Sequence, residues 1–73
     1  MKHERIAINP KIMGGKPVIR GTRIPVDMIL RELGARLSAQ EILAEHPSLR
    51  LEDIYAAQAF AADYIRDEDI VYG

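Results

Sequence analysis

The sequence contains no cysteine among its 73 residues. That absence excludes disulfide bonds and zinc sites built from cysteine thiolates as sources of stability. A chain of this length buries only about 60% of its unfolded surface, so a lone monomer is marginally stable. Because 48% of the residues are nevertheless hydrophobic, we expect a single domain that covers part of its apolar surface by forming a homodimer or by binding another protein.

Long apolar runs are also missing. No stretch approaches the roughly 20 apolar residues that a membrane span requires. Residues 1–5 are polar and are followed by no apolar segment, so no secretory signal is predicted. We therefore expect a soluble cytoplasmic protein that has no membrane partner and no small-molecule substrate.

Side chains that could carry catalysis are few. The two histidines, His3 and His46, are far apart in sequence and have no neighbouring residues that would complete a triad or a metal site. Residues 14–16 read G-G-K, but Pro17 follows the lysine where a phosphate loop needs Ser or Thr at the start of a helix. We predict that the protein is not an enzyme and holds no cofactor and no metal.

Charge is divided unevenly along the chain. Residues 1–36 hold eight cations and three anions, a net charge of +5, whereas residues 37–73 hold two cations and eight anions, a net charge of −6. This division suggests two surfaces with different partners, and ordinary solvated charge is the alternative. If DNA is a partner, the basic half should contact it, since DNA affinity depends largely on cations that face phosphates. The candidate DNA-binding residues are Lys11, Lys16, Arg20, Arg23, Arg31 and Arg36.

Residues 14–26 are rich in turn-forming residues. They hold three of the five glycines and two of the four prolines, with short β-branched pieces between them. Glycine permits positive φ, and proline favours extended geometry in the residue before it. Residues 5–8 alternate polar and apolar side chains, which is typical of a short strand. We therefore predict that residues 1–25 form an extended β arm, either as a small hairpin or as a strand added to a partner chain.

Three helices are predicted after the arm. Apolar residues at helical spacing indicate a first helix over 26–36, which Gly34 ends or loosens. Ser38 and Glu41 form a capping box that opens a short second helix, and Pro47 closes it. The third helix should run from about Leu51 to Arg66, and residues 67–73 should form an acidic and apolar tail. The predicted fold is mainly α: a three-helix, homeodomain-like (helix-turn-helix) core over 26–66 with an N-terminal extended arm.

The third helix should bury a stripe formed by Ile54, Ala57, Ala61, Tyr64 and Ile65. In homeodomain-like folds the last helix reads the major groove of DNA. Here that helix and the tail are acidic, with Glu52, Asp53 and Asp63 along the helix, and acids repel phosphates. We therefore assign this part of the chain to a protein partner. The candidate partner-binding residues are Tyr55, Phe60, Asp63, Asp67, Glu68, Asp69, Ile70 and Tyr72.

Two motifs connect the chain to a known family. Residues 9–10 read N-P and residues 14–26 read G-G-K-P-V-I-R-G-T-R-I-P-V. The later pieces E-I-L at 41–43, P-x-L at 47–49 and E-D-I-x-A-A at 52–57 accompany them. Over roughly residues 5–65 the chain resembles the prokaryotic family known as domain of unknown function 433. One departure is Arg50, which stands where family members commonly have Thr or Ser before the third helix and so removes an N-cap worth about 1 kcal/mol.

The resemblance implies a homeodomain-like helical core with an extended N-terminal arm. It also implies a frequent role as the antitoxin encoded beside a PIN-like nuclease toxin, in some cases with the promoter of the same operon as a DNA target. The sequence-based hypothesis is therefore a dimeric antitoxin. The alternative is a homodimeric protein-interaction module that does not bind DNA.

Overall fold

The computed structural model of the protein describes residues 3–67. A small antiparallel sheet is followed by three helices, so the predicted three-helix core with an N-terminal β arm is confirmed. In chain order the elements are strand β1 (Ile6–Ala7), a 3-10 turn (Met13–Gly15), strand β2 (Val18–Ile19), and helices α1 (Val26–Gly34), α2 (Ala39–Glu45) and α3 (Leu51–Arg66).

The two strands form a small hairpin, which is one of the two arrangements that the sequence allowed for the arm. Ile6 lies opposite Ile19 and Ala7 lies opposite Val18. Arg20 fastens the pair, because its Nε donates to the carbonyl of Glu4 at 2.6 Å and its Nη2 donates to the carbonyl of Ile6 at 3.0 Å. A two-stranded sheet is weak by itself in water. Here Ile6 and Ile19 are buried in the common core, so the helices stabilise the sheet.

A tight turn joins β2 to α1. Gly21 has φ of +82°, and Thr22 N donates to the carbonyl of Ile19 at 2.9 Å. The Thr22 hydroxyl donates to the same carbonyl at 2.7 Å and accepts from Ile24 N at 3.0 Å. Val26 N then donates to the carbonyl of Pro17, which sets the start of α1 against the arm. The glycine-threonine pair of the family motif therefore builds a turn that positions the first helix.

One hydrophobic core connects the arm with all three helices. Ile29, Ile42 and Ala57 are fully buried and come from α1, α2 and α3 respectively. Removal of apolar surface from water, at about 25 cal/mol per Å², is the main stabilising contribution of such a cluster. The core residues are Ile6, Ile19, Val26, Ile29, Ile42, Leu49, Ile54 and Ala57.

The end of α1 matches the prediction in part. The helix ends at Gly34, the residue predicted to end or loosen it, rather than at 36, and the residue with positive φ is Arg36 at +74°. Leu37 N donates to the carbonyl of Glu32, and Arg36 N donates to that of Leu33, both at 3.0 Å. These are the two bonds of a Schellman motif, in which the left-handed residue is usually glycine. Gly34 therefore does not supply the terminating conformation, and an arginine occupies that position.

Helix α2 follows its local signals. Ser38 N donates to Glu41 Oε1 at 2.7 Å, and Glu41 N donates to Ser38 Oγ at 3.1 Å. These reciprocal bonds confirm the capping box. The helix ends at Glu45, with His46 as its C-cap immediately before Pro47.

Helix α3 has the predicted bounds, but two of the five residues of its predicted buried stripe are exposed. Ile54 and Ala57 are buried and Ala61 is half-buried, whereas Tyr64 and Ile65 are 59% and 56% exposed. The packed elements leave a groove beside the last two turns of α3, so the correct helical spacing does not lead to burial there. The predicted tail residues Glu68, Asp69, Ile70 and Tyr72 lie outside the described residues.

Within residues 3–67, no helix combines the length and the apolar character needed to cross a membrane.

Candidate partner-binding groove and basic arm

An open groove lies between the arm, the start of α1 and the C-terminal half of α3. Its volume is about 530 Å³ and its walls are mostly apolar. Lys16 and Asp27 also line it. We call this feature the apolar groove; its apolar lining includes Ile8, Pro17, Leu30, Phe60, Tyr64 and Ile65.

Helical spacing brings the α3 side of the groove together. Residues 60, 61, 64 and 65 lie on one face of the helix because they are one turn apart. The rings of Phe60 and Tyr64 stack at a centroid distance of 6.1 Å. On the arm, Ile8 is 62% exposed. The groove can therefore accept apolar side chains, and Phe60, predicted to contact a partner, lies in it.

Sequence reasoning missed Ile8 and Ile65 as surface residues. It placed Ile65 in the core and assigned Ile8 only to a strand. The sequence did contain a signal for such exposed residues, since it has more large apolar side chains than so small a core can cover. Tyr55, also predicted to contact a partner, is 59% exposed but does not line the groove.

The prediction that Asp53 lies on an acidic outer face of α3 is wrong. It is only 5% exposed, and its carboxylate accepts from Arg5 Nη1 at 3.0 Å and from Arg50 N at 2.9 Å. The bond to Arg50 N is the reverse half of a capping box. The Arg50 side chain makes no cap, as expected, because a guanidinium has no acceptor atom. Asp53 therefore fastens the arm and also satisfies the first turn of α3.

Asp63, a predicted partner contact, is also turned towards the arm. Its Oδ2 lies 2.8 Å from His3 Nε2, and the His3 ring meets Phe60 edge-on at 5.3 Å. His3 thus has a companion that the sequence did not reveal. Glu52 is then the exposed acid of α3, and Asp67, directly after the helix, is exposed as well. Within α3, the acidic surface is therefore smaller than the sequence predicted.

The six predicted DNA-binding residues occupy different environments. Lys16 Nζ and Arg31 Nη2 lie 3.5 and 3.8 Å from Asp27 Oδ2, so one carboxylate brings these two cations together. Arg20 is committed to the backbone carbonyls of the arm. Within residues 3–67, three of the six are exposed and form no ion pair: Lys11, Arg23 and Arg36.

Comparison with known proteins agrees with this fold. A sequence profile of the DUF433 family, described as a protein of unknown function, matches residues 6–61. The uncharacterized protein y4eO of Sinorhizobium fredii is 38% identical over 71 residues, which is 96% of this chain and 32% of that protein. An uncharacterized protein of Archaeoglobus fulgidus is 61% identical over 28 residues, covering 38% of this chain and 78% of that protein.

A solved structure shares the architecture. The crystal structure of a DUF433 member protein from Anabaena variabilis matches with a TM-score of 0.80 and 34% sequence identity. The match covers 85% of this chain and 61% of that chain. The chain thus spans about a third of the length of y4eO and less than two thirds of the solved protein. Since the family profile covers most of the sequence and a solved member has the same fold, this chain belongs to the DUF433 family.

Proposed function

We propose that this protein is an antitoxin that binds and neutralises a PIN-like nuclease toxin through the apolar groove. The observation that carries the proposal is the groove itself, because an apolar surface of this kind on so small a domain is typical of a protein-binding site. The family resemblance is the reason for proposing a PIN-like nuclease as the partner. We therefore propose binding, rather than catalysis, as the role of the groove.

Charge supports a nuclease as the partner. An enzyme that cuts a phosphodiester chain needs a cationic approach to its polyanionic substrate. The C-terminal half of this chain has a net charge of −6, and exposed Asp67 follows the end of the helix that forms one wall of the groove. Asp67 beside the groove therefore complements the cationic approach of a nuclease, and the groove gives the apolar side chains of that nuclease a place to bind.

The test is co-expression with the product of the neighbouring gene, which the proposal expects to be a PIN-like nuclease, followed by size-exclusion chromatography with light scattering. We expect one stable hetero-complex in which nuclease activity is suppressed. Two proteins that elute separately, with full nuclease activity in the mixture, would contradict the proposal.

Two tyrosines on α3 provide a matched pair of variants. Tyr64 lines the groove, Tyr55 does not, and both are 59% exposed. They are nine residues apart, which places them about 180° apart around the helix. We expect Tyr64→Ser to weaken nuclease binding at least about tenfold, since buried aromatic anchors dominate interface energies. Tyr55→Ser should change affinity less than about threefold, and equal losses would place the interface elsewhere.

We further propose that the exposed cations of the basic half contact promoter DNA. Fluorescence anisotropy with the promoter fragment should show binding that weakens as salt rises, because cations release counterions from phosphates. The double variant Lys11→Ala/Arg23→Ala should lower the slope of log affinity against log salt by about two. Arg66→Ala, outside the arm, should leave the slope unchanged.

A second candidate function uses the same groove. A second copy of the chain could cover it, which would make the protein a homodimeric interaction module. A clean homodimer that neither binds the nuclease nor shows salt-dependent DNA binding would support this alternative over the antitoxin.

A further inference from the structure

Three possible metal ligands converge where α1 meets the end of α2. Glu32 lies in α1, Glu45 is the last residue of α2, and His46 is its C-cap. Each contributes one ligand atom, and these atoms lie within 4.8 Å of one another. His46 Nε2 is 3.5 Å from Glu32 Oε2 and 3.9 Å from Glu45 Oε1. Chain folding thus adds Glu32, which is distant in sequence, to the adjacent pair Glu45 and His46.

Two atoms of this cluster lack hydrogen bonds. Glu32 Oε1 and His46 Nε2 are buried, and neither has a hydrogen-bond partner among residues 3–67. Unsatisfied buried polar atoms are uncommon in folded proteins, and one explanation for them is an ion that binds there. Both atoms without a hydrogen bond belong to the same cluster of ligands, so a single bound group would give both side chains the partner that they lack.

A simple histidine–carboxylate pair explains the cluster less well. His3 and Asp63 show such a pair in the same chain, with a separation of 2.8 Å. Charged hydrogen bonds of this kind are usually about 2.7–2.9 Å long. The His46–Glu32 separation of 3.5 Å is longer than that.

Two of the three ligand separations are close to those around a small cation. Zinc bonds to histidine nitrogen and carboxylate oxygen are about 2.0–2.1 Å, so two ligands of a tetrahedral zinc ion lie about 3.3 Å apart. The observed 3.5 and 3.9 Å are close to that distance. Imidazole together with carboxylates favours zinc and neighbouring transition metals over magnesium or calcium, which prefer oxygen ligands alone.

We propose that Glu32, Glu45 and His46 bind a divalent transition-metal ion, with zinc as the best-fitting ion, and that the ion clamps α1 to the end of α2. Two carboxylates and a neutral imidazole match its charge, and the fourth coordination position is left for water. This site departs from the sequence-based expectation of no metal. It is independent of the proposed antitoxin role, since none of its ligands lines the apolar groove.

The first experiment is calorimetric titration of the untagged chain with zinc chloride at neutral pH. We expect one zinc ion per chain. His46→Gln and Glu32→Gln should each weaken binding at least about a hundredfold, and Glu45→Gln at least about tenfold, by loss of a direct ligand. Glu45 is exposed, so its variant tests the site even if the two partly buried positions do not tolerate substitution. The control, His3→Gln, removes the other histidine and should keep the affinity within about twofold.

Thermal unfolding gives a second measurement that requires no knowledge of function. A ligand that binds only the folded state raises its stability. Zinc at a hundredfold excess over its Kd should therefore raise Tm by at least about 5 °C. EDTA should reverse the rise, and His46→Gln should abolish it. The proposal is overturned if zinc does not bind saturably below about 1 mM, or if His46→Gln binds zinc as the parent chain does.

Discussion

At the residue scale, one residue with positive φ could be predicted from the sequence and another could not. Gly21 has φ of +82° in the turn after β2, a conformation that glycine adopts without steric cost. Arg36 has φ of +74° after α1, although side chains with a Cβ disfavour this region by about 1–2 kcal/mol. The first position is visible in the R-G-T-R motif. The second became visible only from the hydrogen bonds of the Schellman motif.

Two glycine substitutions should therefore have opposite effects on the free energy of unfolding. Gly21→Ala should destabilise the protein by about 1 kcal/mol, because alanine is strained at positive φ. Gly34→Ala should stabilise it by about 0.5 kcal/mol, since Gly34 is helical and an added Cβ meets no atom within 4 Å. Urea denaturation measures both values, and a loss of stability in both variants would contradict this account of α1.

Arg36→Gly should stabilise the fold by about 0.5–1 kcal/mol, because glycine is the residue that a left-handed helix end favours. The same change removes a candidate DNA contact, so promoter affinity should fall while stability rises. Urea denaturation and anisotropy on one preparation separate the two effects. Unchanged stability would contradict this expectation and would mean that contacts of the Arg36 side chain offset the strain of its positive φ.

At the element scale, the arm is attached to α3 by side chains that are distant in sequence. Arg5 and Asp53 are 48 residues apart, and His3 and Asp63 are 60 residues apart. These contacts lie along one helix and hold the start of the arm against it. They also explain why the arm can present exposed cations from a fixed position rather than from a freely moving chain.

Asp53→Ala should cost about 2 kcal/mol of unfolding free energy, since it removes charge-assisted hydrogen bonds to Arg5 and to the first turn of α3. Arg5 is 45% exposed, which keeps the loss below that of a fully buried pair. Glu52→Ala is the control, because Glu52 is the exposed neighbour on the same turn. It should change stability by less than about 0.5 kcal/mol, and a similar loss in both variants would assign the effect to the removal of a negative charge from the first turn of α3.

At the scale of the whole molecule, the core and the groove together decide how the apolar residues are distributed. One core takes residues from every element, yet large apolar side chains beside the last turns of α3 stay exposed. On the side of α3 that carries the predicted stripe, Ile54 and Ala57 near the start are buried, whereas Tyr64 and Ile65 near the end are exposed. This exposed end is the surface that the proposed partner covers.

Ile54→Ala and Ile65→Ser separate these two roles. Ile54 is 2% exposed, so its truncation should cost about 3 kcal/mol through lost burial and a residual cavity. Ile65 is 56% exposed, so Ile65→Ser should change stability by less than about 0.5 kcal/mol while weakening partner binding. Thermal or urea unfolding measures the stability of both variants. Light scattering of the complex measures how well Ile65→Ser binds the partner. A large loss of stability in Ile65→Ser would show that the groove belongs to the core.

Features that depend on near neighbours in the chain could be predicted from the sequence. The capping box at Ser38, the end of α2 before Pro47 and the bounds of α3 all follow from contacts within a few residues. The motif at 14–26 likewise determined the family and the turn-rich arm. Such signals are local because capping, proline geometry and helix propensity act over one or two turns.

Tertiary structure alone decided which helical faces are covered. Helical spacing shows that Ile54, Ala57, Tyr64 and Ile65 share one side of α3, but it does not show which other element packs against each turn. The same limit concealed the inward orientation of Asp53 and the approach of Glu32 to His46, since these pairs meet only after the chain folds back on itself. The sequence therefore determined the elements and the family, and the packing of those elements decided where the groove, the arm contacts and the proposed metal ligands lie.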